Sequence, residues 1–175
     1  MSVARAVDWL ARSLAVLGGM TLGVITLLTV TSVVGRSLIW AGFGPIAGDY
    51  EMAEALTGVA IFCFLPICQL HRGHVVVDLF EKQMGPTLTR WIDALSEIVM
   101  AIVLVIIAWR LTAGFADKYH NGETSFIRQF PMWWAYGASL LPAYVAVITA
   151  LYTSWRGVKA VAVGRDLLPE HLEIE

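Results

Sequence analysis

The chain has 175 residues, of which 58% are hydrophobic and only 15% charged, with a formal net charge of −2. That balance excludes a disordered chain and gives no reason to expect nucleic acid or another polyanion as a partner. Cys63 and Cys68 lie about 140° apart around a helix and have no metal-type spacing, so they read as small buried apolar residues.

The first eleven residues include Arg5 and Asp8, with Val7, Trp9 and Leu10 able to lie at a membrane interface. From Arg12 to Arg36 no ionisable residue interrupts a run of 23 residues. A bilayer core requires about 20 apolar helical residues, so a first span is predicted over 13–39. The run exceeds the roughly 7–15 residues of a signal-peptide core and no cleavage site follows it, so the span should stay in the membrane. Within it, Gly19 and Gly23 frame a GxxxG element, a flat face that another helix can approach closely.

The connection AGFGPIAGDYE is rich in turn residues and places Asp49 to cap the next helix. A second span is predicted over 50–70. Glu51 and Glu54 fall in its opening turns, where acids favour the unpaired amides, and this reading is preferred to ion binding. Pro66 should bend the helix near its far end. In the following stretch Val76, Leu79, Phe80 and Met84 share one helical face, and Asp78, Glu81 and Lys82 another. Residues 75–84 are therefore expected to form a short amphipathic helix on the membrane surface, ended by Gly85-Pro86.

A third span over 88–116 carries Asp93, Glu97 and Arg110. With its centre near Val103, Glu97 and Arg110 lie roughly 9–10 Å from the midplane. The arginine can snorkel from there, and the glutamate should face another helix rather than lipid. After a polar loop, a fourth span over 131–156 opens with the aromatic belt Trp133, Trp134 and Tyr136. Pro142 should kink it, and Tyr152 and Trp155 form the opposite belt. Residues 157–175 are left as a tail.

The expected fold is an all-α integral membrane domain of four transmembrane helices plus a short amphipathic surface helix. Arg5, Arg12, Arg72, Lys82, Arg90, Arg156, Lys159 and Arg165 lie on one side, against Arg36, Arg110, Lys118 and Arg128 on the other. The positive-inside rule then places both termini in the cytoplasm.

The sequence offers no nucleotide-binding motif, no Ser or Cys nucleophile beside a His, and no acid at a span's centre of the kind a proton-coupled exporter requires. Catalytic, substrate-binding and metal residues are therefore expected to be none, and the chain is not expected to be an enzyme. One alternative is the membrane anchor of a redox enzyme, with haem held by two His. His71 and His74 share a depth but belong to one helix end, while His120 and His171 lie elsewhere, so the pattern does not favour it. A free-standing small transporter is the other alternative.

The run Arg72-Gly73-His74-Val75-Val76-Val77-Asp78-Leu79 resembles an element after the second span of the small membrane subunits of tripartite ATP-independent periplasmic (TRAP) transporters, the DctQ-like family. Residues 122–125 (GETS) and 131–142 (PMWWAYGASLLP) are similar to that family's segments before and within its last span. The resemblance covers about 14–155. It implies a prokaryotic inner-membrane complex in which a periplasmic binding protein captures an organic acid and a large subunit carries it, coupled to sodium. The small subunit braces the large one, with no cofactor of its own, sodium being expected on the large subunit. Arg72, His74 and Asp78 should fix the turn after the second span. With Glu97, Arg110, Gly19 and Gly23 they are the candidates for structural or subunit-interface roles.

Overall fold

A computed structural model describes residues 3–71 and 81–163, with side chains described for 5–71 and 89–163. The described residues form helix α1 (Val3–Ser37), a 3-10 turn (Ile39–Ala41), α2 (Asp49–Leu70), α3 (Glu81–Asn121) and α4 (Trp133–Val163). All four α-helices are long and apolar enough to cross a bilayer. At about 1.5 Å per residue, α2 is little longer than the ~30 Å hydrocarbon layer, whereas α1, α3 and α4 run well past it.

Those extensions depart from the spans read from composition, because a helix does not stop where hydrocarbon stops. In the first turns of α1 the Arg12 Nε donates to Asp8 Oδ2 at 2.9 Å, an i,i+4 ion pair that supports helix in polar surroundings. Of the expected surface helix 75–84, residues 75–80 lie outside the described residues, and 81–84 form the first turn of α3. Gly85-Pro86 does not separate two helices. Pro86 is the sixth residue of α3, so its missing N–H removes only a bond to the Lys82 carbonyl at the helix's very start. Pro66 and Pro142 likewise stand inside continuous helices, both buried.

The helices are ordered α1–α2–α4–α3 in space: α1 packs on α2, α2 on α4, and α4 on α3. Val7 and Ala11 of α1 cluster with Leu70 of α2 and with Tyr152 of α4, so the start of α1, the end of α2 and the later part of α4 meet at one end of the bundle, where α1 begins and α4 finishes (the termini end). Along α1 the contact is a narrow seam. Leu14, Gly18, Thr21, Ile25, Leu28, Ser32 and Gly35 are buried or half-buried, at alternating spacings of four and three, and nearly every residue between them is exposed. This is a period of 3.5, which keeps one stripe on a partner helix at a shallow crossing. Gly18 sits in the seam because a Cβ there would stand 3.0 Å from Cys63 Cβ and 3.1 Å from the Phe64 ring.

The interior is built from small and hydroxyl-bearing residues. Ala101, Ala146 and Ala150 pack with Leu104 between α3 and α4, while Ser139, Thr149, Thr153 and Ser154 are buried on α4. The large apolar side chains, such as Leu27, Ile102 and Leu151, point outward. This inversion of the soluble pattern fits a lipid solvent, in which exposed Leu costs nothing and close backbone approach supplies the packing. Thr21 in the seam and Thr26 and Thr29 on the exposed flank of α1 each donate to the carbonyl four residues back, at 2.8–2.9 Å, which pairs these hydroxyls within the helix. By share of its apolar window buried, α4 is the most enclosed helix at 33% and α1 the least at 11%.

Candidate functional site

Among the described residues the polar contacts between elements gather at the two ends of the bundle, with a further bond of 2.8 Å between Thr112 Oγ1 of α3 and the Tyr144 hydroxyl of α4 between them. At the termini end, Glu97 of α3 projects toward α4 and α2 and is only 6% exposed. Its Oε2 accepts from Gln69 Nε2 at 2.7 Å and from Thr153 Oγ1 at 2.7 Å. The same Gln69 amide also donates to Thr153 Oγ1 at 3.1 Å, and Ser154 Oγ donates to the Glu97 carbonyl at 2.7 Å. A carboxyl group in a low-dielectric layer is costly unless donors surround it. Here the donors come from two other helices, so the cost of burial is offset only when α2, α3 and α4 are assembled. Since the backbones of α2 and α3 do not approach closely, the Gln69–Glu97 bond is a polar tie across the α4 seam.

At the opposite end the two interhelical loops clasp each other. Ser32 of α1 donates to Asp49 Oδ2, and its Oγ accepts the Ile46 amide at 3.2 Å. Asp49 is the first residue of α2 and not its cap: Gly48, in the left-handed region at φ 74°, holds that position. Arg128 crowds Gly48 and would stand 2.5 Å from any Cβ there, so a side chain is excluded both by conformation and by space. Glu51 reaches across to the α3–α4 loop, where its two oxygens accept the amides of Ile127 at 2.7 Å and Arg128 at 3.1 Å. Arg128 Nε returns a bond to the Ala47 carbonyl at 2.8 Å. The α3–α4 loop is itself a tight hairpin, closed by Ser125 N to Phe130 O and Met132 N to Glu123 O, each at 2.9 Å, and by a Lys118–Glu123 ion pair at 2.5 Å. Glu51 thus gathers loop amides, a role beyond that of an acid in a helix's first turn.

The residues singled out from sequence are dispersed. Gly19 and Gly23 face open space, with no atom within 4 Å of a Cβ built at either, and the close approach inside the chain falls one residue away at Gly18. Arg110 is exposed on α3. Arg72, His74 and Asp78 lie outside the described residues. His71 ends α2 and His120 lies in the last turn of α3, at opposite ends of the bundle, so these two cannot share a haem within one chain. Among the described residues no three His, Cys, Asp or Glu side chains come together as a metal site. At the termini end Arg156 lies over the Tyr152 ring at 5.7 Å and Lys159 over the Trp155 ring at 5.2 Å, which holds both cations at the aromatic belt.

Sequence reasoning missed Gln69, Thr153, Ser154 and Ser32. The available signal was depth: Gln69 and the Thr153-Ser154 pair are polar residues inside otherwise apolar runs, and by span position they share a level with Glu97.

Against protein families, residues 25–160 match that of the Tripartite ATP-independent periplasmic transporters, DctQ component, a region that includes the last third of α1 and all or nearly all of the other three helices. No curated protein and no solved structure matches the chain.

Proposed function

Because the chain belongs to the DctQ family, the small membrane component of TRAP transporters, we propose that it is the scaffold subunit of a sodium-coupled secondary transporter for an organic acid. A large membrane subunit carries the substrate and the sodium ions, and a periplasmic binding protein delivers the substrate. This chain performs no catalysis and binds neither substrate nor sodium. The observation that carries the reading is the family match across the four-helix domain. The polar groups of the bundle support it: Glu97, Gln69, Thr153 and Ser154 are engaged in ties between helices, and Glu51 in ties to the α3–α4 loop, as a brace requires.

The chain sits in the inner membrane with both termini in the cytoplasm, as the asymmetry of basic residues favours. The α1 flank bearing Gly19 and Gly23 is open and small enough to admit a helix of the large subunit. Arg72, His74 and Asp78 set the turn after α2, and Arg110 faces protein in the complex. Co-expression of an affinity-tagged form with a large TRAP membrane subunit from the same genome tests the assignment. The two should co-purify, and Arg72→Ala or Asp78→Ala should reduce co-purification more than either alters substrate preference. A fully assembled mutant with a changed substrate would contradict a scaffold role.

A further inference from the structure

On one side of the α3–α4 seam runs a groove of about 280 Å³, lined by Ile98, Ala101, Ile102, Val105, Leu151 and Ser154. Its one hydroxyl, Ser154 Oγ, spends its proton on the Glu97 carbonyl, so the lining offers a water molecule at most one of the two to four partners it needs. A second helix is about 10–12 Å across with its side chains, too wide to seat in this space. Water and a helix are both poor occupants; a narrow, flexible, apolar chain fits.

The groove's mouth has a definite chemistry. Trp155 is one helical turn beyond Leu151, and Trp91 two turns before Ile98, each on its helix's groove-side face and toward the termini end. Both are about 60% exposed, as interfacial tryptophans are. Lys159 is exposed and rests over the Trp155 ring, so its ammonium stands at the headgroup level beside the groove. The acid nearest to Trp91 in sequence, Asp93, leaves α3 about 200° around from it, away from this side. A hydrocarbon slot ending at an aromatic-held cation complements a lipid whose headgroup carries net negative charge.

We propose that the α3–α4 groove binds one acyl chain of an anionic phospholipid from the leaflet at the termini end, with the lipid's phosphate at Lys159. The lipid fills the outer side of the seam that Glu97 ties on its inner side, and so completes the packing of α3, the helix at the end of the row.

Native mass spectrometry of the full chain in detergent tests this, with phosphatidylglycerol and phosphatidylcholine of matched acyl chains as probes. One phosphatidylglycerol should be retained about fivefold more strongly than phosphatidylcholine, the effect of one basic residue near the surface. Lys159→Gln should erase that preference while leaving weak retention of both lipids. Ile102→Trp, which fills the groove, should remove retention of both, and Ile98→Trp provides the same test should the first variant fail to fold. Leu27→Trp, on the far exposed flank of α1, should change nothing. Equal retention of the two lipids by the unmodified chain would overturn the proposal, as would groove-filled variants that hold lipid as the unmodified chain does.

Discussion

Replacing Glu97 is the most informative single change. Glu97→Ala removes the acceptor shared by Gln69 and Thr153, both 2% exposed, and leaves them facing each other without it. A buried donor left unsatisfied costs about 1–3 kcal/mol in soluble proteins. Interhelical hydrogen bonds in membranes average about 0.6 kcal/mol and reach about 1.7, because the unassembled helices also find partners. With two bonds lost, and Thr153 still able to use the Ala150 carbonyl at 3.1 Å, a destabilisation of about 1–3 kcal/mol is expected. Glu97→Gln keeps a carbonyl acceptor and should lose less than half of that. The measurement is reversible unfolding in mixed micelles with rising dodecyl sulfate, followed by tryptophan fluorescence. A double-mutant cycle with Thr153→Ala should show coupling of about 0.6–1.7 kcal/mol. An alanine variant within about 0.5 kcal/mol of the unmodified chain, the range of an ordinary surface change, would refute the tie.

Gly18→Val should destabilise the isolated chain by about 1–3 kcal/mol, since its methyls meet Cys63 and Phe64. Gly19→Val should leave the isolated chain unchanged and instead lower co-purification with the large subunit; the same unfolding assay and a pull-down separate the two. Glu51→Ala should speed hydrogen exchange at the Ile127 and Arg128 amides without altering exchange around Glu97, as read by mass spectrometry of peptides from each end. In a chain carrying Cys63→Ala and Cys68→Ala, Thr124→Cys should react with a membrane-impermeant maleimide from the periplasmic side; reaction only from the cytoplasm would reverse the orientation. The purified protein should show no b-type haem band, and a stoichiometric one would favour the redox-anchor alternative.

The four helices were legible because lipid imposes a blunt rule: an uncharged run of about 20 residues has few other uses in a chain this short. Their ends were less legible, as Val3 and Asn121 show, since helix continues into the headgroup layer where composition becomes mixed. The GxxxG element drew attention to Gly19 and Gly23, yet the seam's period of 3.5 selects Gly18, and only the full register of α1 against α2 distinguishes them. Asp49 was readable as a residue for a helix start but not as the partner of Ser32, 17 positions earlier. Glu97 was readable as a charge needing protein around it. That its partners are Gln69 and Thr153, 28 and 56 positions away, depends on the α1–α2–α4–α3 order, which no local pattern encodes.

Reconstituted uptake tests the central claim most directly. The large subunit is placed in proteoliposomes with and without this chain, the purified binding protein is supplied outside with a radiolabelled organic acid that it binds, and an inward sodium gradient is imposed. Uptake should be near background without this chain, rise to a sodium-dependent level when it is added, and stay at background in liposomes that hold this chain alone. Full sodium-dependent uptake by the large subunit and binding protein without it would contradict the account.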